Sequence, residues 1–427
     1  MAYVHSVSEA AEKIGVSPDT IRRWEKKGLI RARRNEFNHR LFDVNEVHSV
    51  NQKMTCSEHS GSFRVLKTNR KNKFTTIELF AGAGGTALGF ENSGFEHVVL
   101  VENDKHAVAT LQLNRPRWNV LCKDVREVDF SEYNADVIQA GFPCQSFSYA
   151  GKKMGFEDIR GTLFFEFARS IKQVRPKVII GENVRGLLRH DDGKTLETIL
   201  SVLRELGYRI AYRVLRSQYF DVPQKRERLI IMGVRDDLDY PFIFPKEKSY
   251  IVSLQDALKG CPPSDGQEYP ERKRKILELV PPGGYWRDLP LDLQKEYMGK
   301  SFYMGGGKTG MARRLSWDEP SLTLTCSPAQ KQTERCHPDE TRPLNVREYA
   351  RIQTFPDKWE FVGSTAARYK QIGNAVPVNL GYHIGRCVAA MLSGEVDHKT
   401  MEVVALSEVQ KQGSLFQNAL LLTRILK

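Results

Sequence analysis

From residue 74 onward, short apolar runs rich in valine and isoleucine recur at 75–80, 97–102, 119–123, 136–141, 177–181, 209–216 and 229–234. Stretches with helical spacing of apolar residues lie between several of them, at 86–92, 106–113, 163–173 and 195–206. Alternation of this kind predicts an α/β fold, a doubly wound and mostly parallel sheet. Ligands of such sheets bind at the carboxyl ends of the strands. The rhythm breaks over 239–340, where 102 residues carry 11 of the chain's 19 prolines, with Pro281-Pro282-Gly283-Gly284 and Gly305-Gly306-Gly307 among them. That segment reads as a loop-rich insertion of domain size. Regular spacing returns at 347–355 and 378–392, so the sheet domain is expected in two parts, 74–238 and 341–393. The tail, 394–427, shows no pattern.

The first 50 residues follow another rhythm. Ser8 with Glu9-Ala10-Ala11-Glu12 opens one helix, which Gly15 ends. Ser17-Pro18-Asp19 forms a turn, and Thr20 opens a second helix over 21–27 that stops at Gly28. A strand pair is expected over 29–42. Two helices joined by a tight turn make a unit whose second helix can enter a DNA major groove. Residues 51–73 are polar and read as a linker.

Charge sharpens this division. The net charge is +12, yet residues 1–73 hold 15 Lys and Arg against 8 Asp and Glu, whereas the rest hold 49 against 44. Residues 20–40 alone carry eight basic side chains, including Arg22, Arg23, Lys26, Lys27 and Arg40, against Glu25 and Glu36. A short basic module on a nearly neutral body points to a polyanionic partner. The seven cysteines are odd in number and lack C-x-x-C spacing, which argues for reduced thiols in a cytoplasm and against disulfides or structural zinc. Cys56 and His59 alone make no metal site, and no metal is expected. No stretch approaches the roughly 18–20 apolar residues of a membrane span.

Candidate chemistry gathers at the strand ends. The first apolar run leads into Phe80-Ala81-Gly82-Ala83-Gly84-Gly85-Thr86-Ala87. Glycines at a strand-to-helix turn let a ligand approach the backbone and the free N–H groups of the helix start. Glu102 stands 20 residues beyond Gly82, placed to hold a ribose. This much suits a nicotinamide or an S-adenosylmethionine enzyme equally. Asp124, after the third run, is a second acidic group able to accept from an adenine amino group. The fourth run ends in Gly141-Phe142-Pro143-Cys144-Gln145, which puts a cysteine on an exit loop, where it can attack. The fifth delivers Glu182-Asn183-Val184. Gln224, Arg226 and Arg228 alternate along Val222-Pro223-Gln224-Lys225-Arg226-Glu227-Arg228, and so share one face of an extended segment.

Together these residues resemble the cytosine-5 DNA methyltransferases of bacterial restriction–modification type. Phe80 to Gly85 match the cofactor loop of that family, Pro143-Cys144-Gln145 its nucleophile loop and Glu182-Asn183-Val184 its acid. Gln224-x-Arg226-x-Arg228 matches a further element. Asp158-x-Arg160-Gly161-x-Leu163-Phe164, His190-Asp191-Asp192-Gly193, Arg347-Glu348 with Gln353-Thr354-Phe355-Pro356, and Gln371-Ile372-Gly373-Asn374 complete the order. Asn345 stands where the family more often has Ser or Thr. Asn103 stands where some members have an aromatic residue, which leaves Phe80 to stack on adenine. The first segment resembles the winged helix-turn-helix of MerR-type regulators, through Ser8-Glu9-Ala10-Ala11, Gly15 to Ile30 and Arg40-Leu41-Phe42.

The resemblance implies an S-adenosylmethionine-dependent methyltransferase fold with a target-recognition domain at 239–340. It implies methyl transfer to C5 of a flipped-out cytosine in double-stranded DNA, through a Cys144 adduct at C6. Glu182 would serve N3, needing a desolvated pocket, while Arg226 and Arg228 would polarise the base carbonyl. S-adenosylmethionine would be held by Phe80, Gly82, Gly84, Gly85, Glu102, Asp124, Pro143, Leu163 and Asn374. DNA would be contacted by Gln224 and by Arg22, Arg23, Lys26, Lys27 and Arg40 of the first module. The enzyme is expected to act on DNA as a monomer near the bacterial nucleoid, with the N-terminal module able to pair on an operator. RNA methylation, and a regulator with a degenerate enzyme domain, stand as the alternatives.

Overall fold

The computed structural model describes residues 5–14, 16, 18–26, 29–35, 39–47, 50, 63–143, 162–305 and 308–404. Its contacts divide the chain into residues 1–61 with 249–251, and 62–248 with 252–427.

In the first unit, helix Val7–Ile14 and helix Pro18–Lys26 precede strands Ala32–Arg34 and Arg40–Phe42. A two-residue strand, His5–Ser6, pairs antiparallel with Arg40–Phe42 and makes the sheet three-stranded, which the residue pattern does not announce. The first helix is capped by Ser6 and not Ser8. The Ser6 N–H donates to Glu9 Oε2 at 2.8 Å and the Glu9 N–H to Ser6 Oγ at 3.3 Å, a reciprocal box at the expected spacing. Pro18, whose fixed φ suits a first turn, starts the second helix earlier than Thr20. Ala10, Ala11, Ile21 and Trp24 pack with Ile30, Phe42 and Val47 into a small apolar core.

The second unit is built on seven strands: β1 Thr75–Leu79, β2 Glu96–Glu102, β3 Val120–Cys122, β4 Val137–Ala140, β5 Val178–Val184, β6 Tyr208–Arg216 and β7 Glu227–Arg235. Their order across the sheet is β3-β2-β1-β4-β5-β7-β6. The first five are parallel, while β7 runs antiparallel to both β5 and β6. Both faces are covered. One carries Phe142, Phe164, Phe167, Ile199 and Leu203 against Ile77, Val99 and Ile179. The other carries Phe90, Leu380, Ile384 and Val388 against Val137, Ile180, Ile230 and Met232. Burial on both faces is why these strands read as continuous apolar runs.

Helix Val378–Ser393 comes from the returning part of the chain and lies against helix Gly85–Asn92, which follows β1. The approach is close: a Cβ on Gly89 would stand 2.6 Å from backbone atoms of Gly381 and Tyr382. Helix Thr365–Asn374 was not foreseen, and neither was the pairing of strands Phe242–Pro245 and Met401–Val404. The irregular 239–340 segment contains helices Leu254–Leu258, Glu271–Glu278 and Leu291–Met298. Tyr269, Leu277, Trp286, Tyr297, Met298 and Cys336 form an apolar cluster within it. Glu334, fully buried there, is held by Lys273 and by the Tyr297 hydroxyl at 2.5 Å. Among the described residues no helix is long and apolar enough to cross a membrane.

Candidate active site

β5 carries Glu182 to the carboxyl edge of the sheet, and β7, antiparallel beside it, sets Ile230 opposite Glu182 and Arg228 opposite Val184. Residues two apart on a strand share a face, so Arg228 and Glu182 point the same way. Arg228 Nε lies 2.6 Å from Glu182 Oε1, with the two side chains 11% and 18% exposed. Both side chains are largely withdrawn from solvent, and the partner of the glutamate is a guanidinium.

β4 ends beside this pair. A Cβ on Gly141 would lie 3.2 Å from Glu182 Oε2, the other oxygen of that carboxylate. Asn183, next to Glu182, donates from Nδ2 to the Phe142 carbonyl at 2.8 Å. Phe142 is buried against Phe164 and Phe167, with ring centroids 5.2 and 5.8 Å away. The segment Gly141-Phe142-Pro143 is thus pinned on two sides, with Pro143 exposed. Cys144 follows it directly and, with residues 145–161, lies outside the described residues.

Two residues along 222–228 make structural contacts. Gln224, expected to contact DNA, is fully buried. It donates from Nε2 to Gln353 Oε1 at 2.8 Å and accepts the Leu324 N–H at 2.9 Å, so it ties three distant segments together. Arg226, expected at the base carbonyl, is 2% exposed and donates to the carbonyls of Leu324 and Gly373, both at 3.1 Å. Burial drives its pKa well below the usual guanidinium range, with Arg228 adding repulsion. Arg226 therefore joins the 239–340 segment to helix Thr365–Asn374, and of the three aligned side chains Arg228 alone forms an ion pair with Glu182.

On the other side of the edge, the turn after β1 has the conformation its glycines predict. Gly82 and Gly84 have φ of 55° and 85°, a left-handed region that disfavours other residues. A Cβ on Gly82 would meet nothing within 4 Å, whereas one on Gly85 would strike the Val376 carbonyl at 2.1 Å. Gly82 thus borders open space where a ligand fits, and Gly85 serves packing. Phe80 holds φ 58°, a strained value for an aromatic residue. Glu102, at the end of β2, accepts the Gly82 N–H at 2.8 Å and those of Asn103 and Asp104 at 2.9 and 2.8 Å. Its carboxylate therefore shapes the loop. Asp124 caps the turn Val125–Glu127 through Arg126 N–H. Asn374 is exposed and accepts from the Cys326 thiol at 3.1 Å, and Leu163 begins helix Leu163–Val174. Asn345 caps helix Val346–Ile352 in a box with Glu348, which is what Ser or Thr would do there.

One feature of the site was not read from the sequence. Glu78 on β1 and Gln139 on β4 are register partners, 4% and 2% exposed, and Gln139 Nε2 donates to Glu78 Oε2 at 2.9 Å. Two polar residues at one level of adjoining apolar runs were the available signal.

In the N-terminal unit, Arg22 and Arg40 are exposed, and Arg40 pairs with Glu25 at 3.2 Å, joining the second helix to the strand pair. Arg23 and Lys26 lie on that second helix, while Lys27 lies outside the described residues.

A sheet in this order, with a glycine turn after β1 and a carboxylate–guanidinium pair at the same edge, has the fold of a methyltransferase. It is shared with a DNA modification methyltransferase encoded within an Escherichia coli prophage, at TM-score 0.55 and 23% identity, over 75% of this chain and 99% of that one. The sequence model of C-5 cytosine-specific DNA methylases matches residues 74–389. The chain belongs to that family and is a DNA cytosine-5 methyltransferase. It is 57% identical over 402 residues to the type II methyltransferase M.Eco47II of Escherichia coli, covering 91% of this chain and 95% of that one. It is 52% identical over 401 residues to M.PspPI of a Psychrobacter strain, covering 91% and 96%. Residues 6–42 match the MerR family of regulatory proteins. Residues 51–427 are 377 of 427, about 88%, so both matches reach into the N-terminal module.

Proposed function

We propose that the protein transfers a methyl group from S-adenosylmethionine to C5 of a cytosine turned out of double-stranded DNA, with Cys144 as nucleophile. The observation that carries this reading is the Glu182–Arg228 pair beside Gly141-Phe142-Pro143, the segment that runs into Cys144. Cytosine C5 is a poor nucleophile until a thiolate adds at C6 and turns the ring into an enamine. Arg228 faces the base carbonyl, where charge grows during that addition. Glu182 carries the proton that N3 gains as the thiolate adds and loses as it departs. The turn at Gly82, the Glu102 and Asp124 carboxylates and Asn374 fit a nucleoside-bearing cofactor, since the place of a Gly82 side chain is open and the Glu102 carboxylate stands beside it. S-adenosylmethionine, when bound, supplies an electrophilic methyl group to the activated C5.

Turning a base out of the duplex costs a few kcal/mol. The 239–340 segment, with its own apolar cluster and with Tyr303 and Met304 exposed between Lys300 and Lys308, is the part that recovers this energy and reads the target. Labelled methyl should enter duplex DNA and appear as 5-methylcytosine on digestion. Labelling of structured RNA in its place would refute the substrate assignment.

The MerR match supports a second role for the first 50 residues, binding a separate operator and regulating the protein's own gene. Deleting residues 1–61 should leave methyl transfer largely intact and abolish repression of a reporter placed behind the gene's promoter. A large loss of methylation would instead assign the module to target binding.

A further inference from the structure

Behind Glu182, between the sheet and the returning helix, lies a space of about 20 Å³. Its walls include Glu78, Thr86, Gln139, Gly141 and Glu182, with apolar cover from Ile180, Ile230, Val376 and Ile384. Such a volume admits one water molecule, which stays only where it finds two to four polar partners.

The partners are present. Gln139, 2% exposed, spends its Nε2 on Glu78, and no donor among the described residues reaches its Oε1. A buried carbonyl oxygen left unpaired is costly. Glu182 uses Oε1 for Arg228, while Oε2 turns towards Gly141 on the cavity wall. Gln139 Oε1 is thus an acceptor without a donor among the described residues, and Glu182 Oε2 borders the same space. Register places the groups on one face: Glu78 pairs with Gln139, Gln139 with Ile180, and Glu182 lies two residues beyond Ile180 on β5.

We propose that this cavity holds one ordered water, which donates to Gln139 Oε1 and to Glu182 Oε2 and accepts from the Glu78 carboxyl. Glu78 and Gln139 are then positioning residues for Glu182. This rests on the reading of Glu182 as the group that serves N3. Burial raises the Glu78 carboxyl well above the usual carboxylate range, with Glu102 adding to the effect and the Ala87 N–H opposing it. A neutral Glu78 can both accept from Gln139 and donate to the water, so every polar group in the cluster is satisfied. The arrangement also links the strand that leads into the cofactor turn with the carboxylate that meets the base.

The test combines a structure with kinetics. A high-resolution crystal structure of the full chain should show a water within hydrogen-bond distance of Gln139 Oε1 and Glu182. Gln139→Met and Glu78→Leu should each lower kcat about tenfold, the worth of one well-placed hydrogen bond, with KM for DNA and for S-adenosylmethionine unchanged. Glu78→Gln, which keeps an acceptor for Gln139 and a donor for the water, should restore most of kcat. An empty cavity, or wild-type kcat in Gln139→Met, would overturn the proposal. Where a variant unfolds, as its melting temperature would show, the crystal water of the unsubstituted protein decides. Absence of methyl transfer in the unsubstituted protein would instead refute the functional reading and leave the water to be judged by density alone.

Discussion

Cys144→Ser should reduce methyl transfer to duplex DNA by at least about four orders of magnitude. A serine hydroxyl is nearly isosteric with the thiol, but at neutral pH it is almost wholly protonated, whereas a thiol gives its anion far more readily. The substitution leaves the cofactor turn, the Glu182–Arg228 pair and the apolar packing of Phe142 untouched. Binding of duplex and cofactor should therefore persist, and the loss should fall on kcat. DNA carrying 5-fluorocytosine separates the steps, because fluorine at C5 leaves no proton to lose and traps the thiolate adduct. The unsubstituted protein should form a denaturant-stable complex with that DNA, and Cys144→Ser should form none. Residual turnover above a hundredth of wild type would exclude covalent catalysis by this residue.

Glu182→Gln should lower kcat by about 10²–10⁴, the range that one acid–base group contributes. The amide oxygen can still accept from Arg228, so little stability is lost and the fold should melt close to wild type. Glu182→Leu is a harsher change. It leaves the Arg228 guanidinium, 11% exposed, with neither a counter-charge nor an acceptor, and stranding one member of a buried pair costs about 3–5 kcal/mol at full burial, less here because both ends meet some solvent. Comparing the two separates chemistry from packing: both variants should lose activity, and only the leucine variant should also lose melting temperature. If Glu182→Gln turned over at the wild-type rate, the proton at N3 would have to be served by another group.

Much of the fold was legible because its central strands are covered on both sides. A strand such as Val178–Val184 has few polar residues to confuse it with anything else, and each of the seven expected runs became a strand of the large sheet. Helix Thr365–Asn374 escaped because only part of one side is buried, through Tyr369 and Ile372, and its remaining residues are mostly polar. Hairpin partners were equally hidden, since a run buried on both faces carries no mark of parallel or antiparallel pairing. At the site, the spacing of Gln224, Arg226 and Arg228 correctly placed them on one face of an extended segment. It could not say which of them reaches the cleft, because that depends on Leu324, Gln353 and Gly373, about 100 residues or more away. Glu78 and Gln139 went unread for a related reason: each is a single polar residue inside an apolar run, and their meaning lies in the register between two strands.

The close fit of helix Val378–Ser393 against helix Gly85–Asn92 bears on when the enzyme first becomes competent during its own synthesis. The cofactor turn is made early, but Gly85 rests on the carbonyl of Val376 and Gly89 on the backbone at Gly381. A chain still on the ribosome with residues from 376 onward unmade has nothing to close that turn, and the slow long-range docking of the two helices comes late.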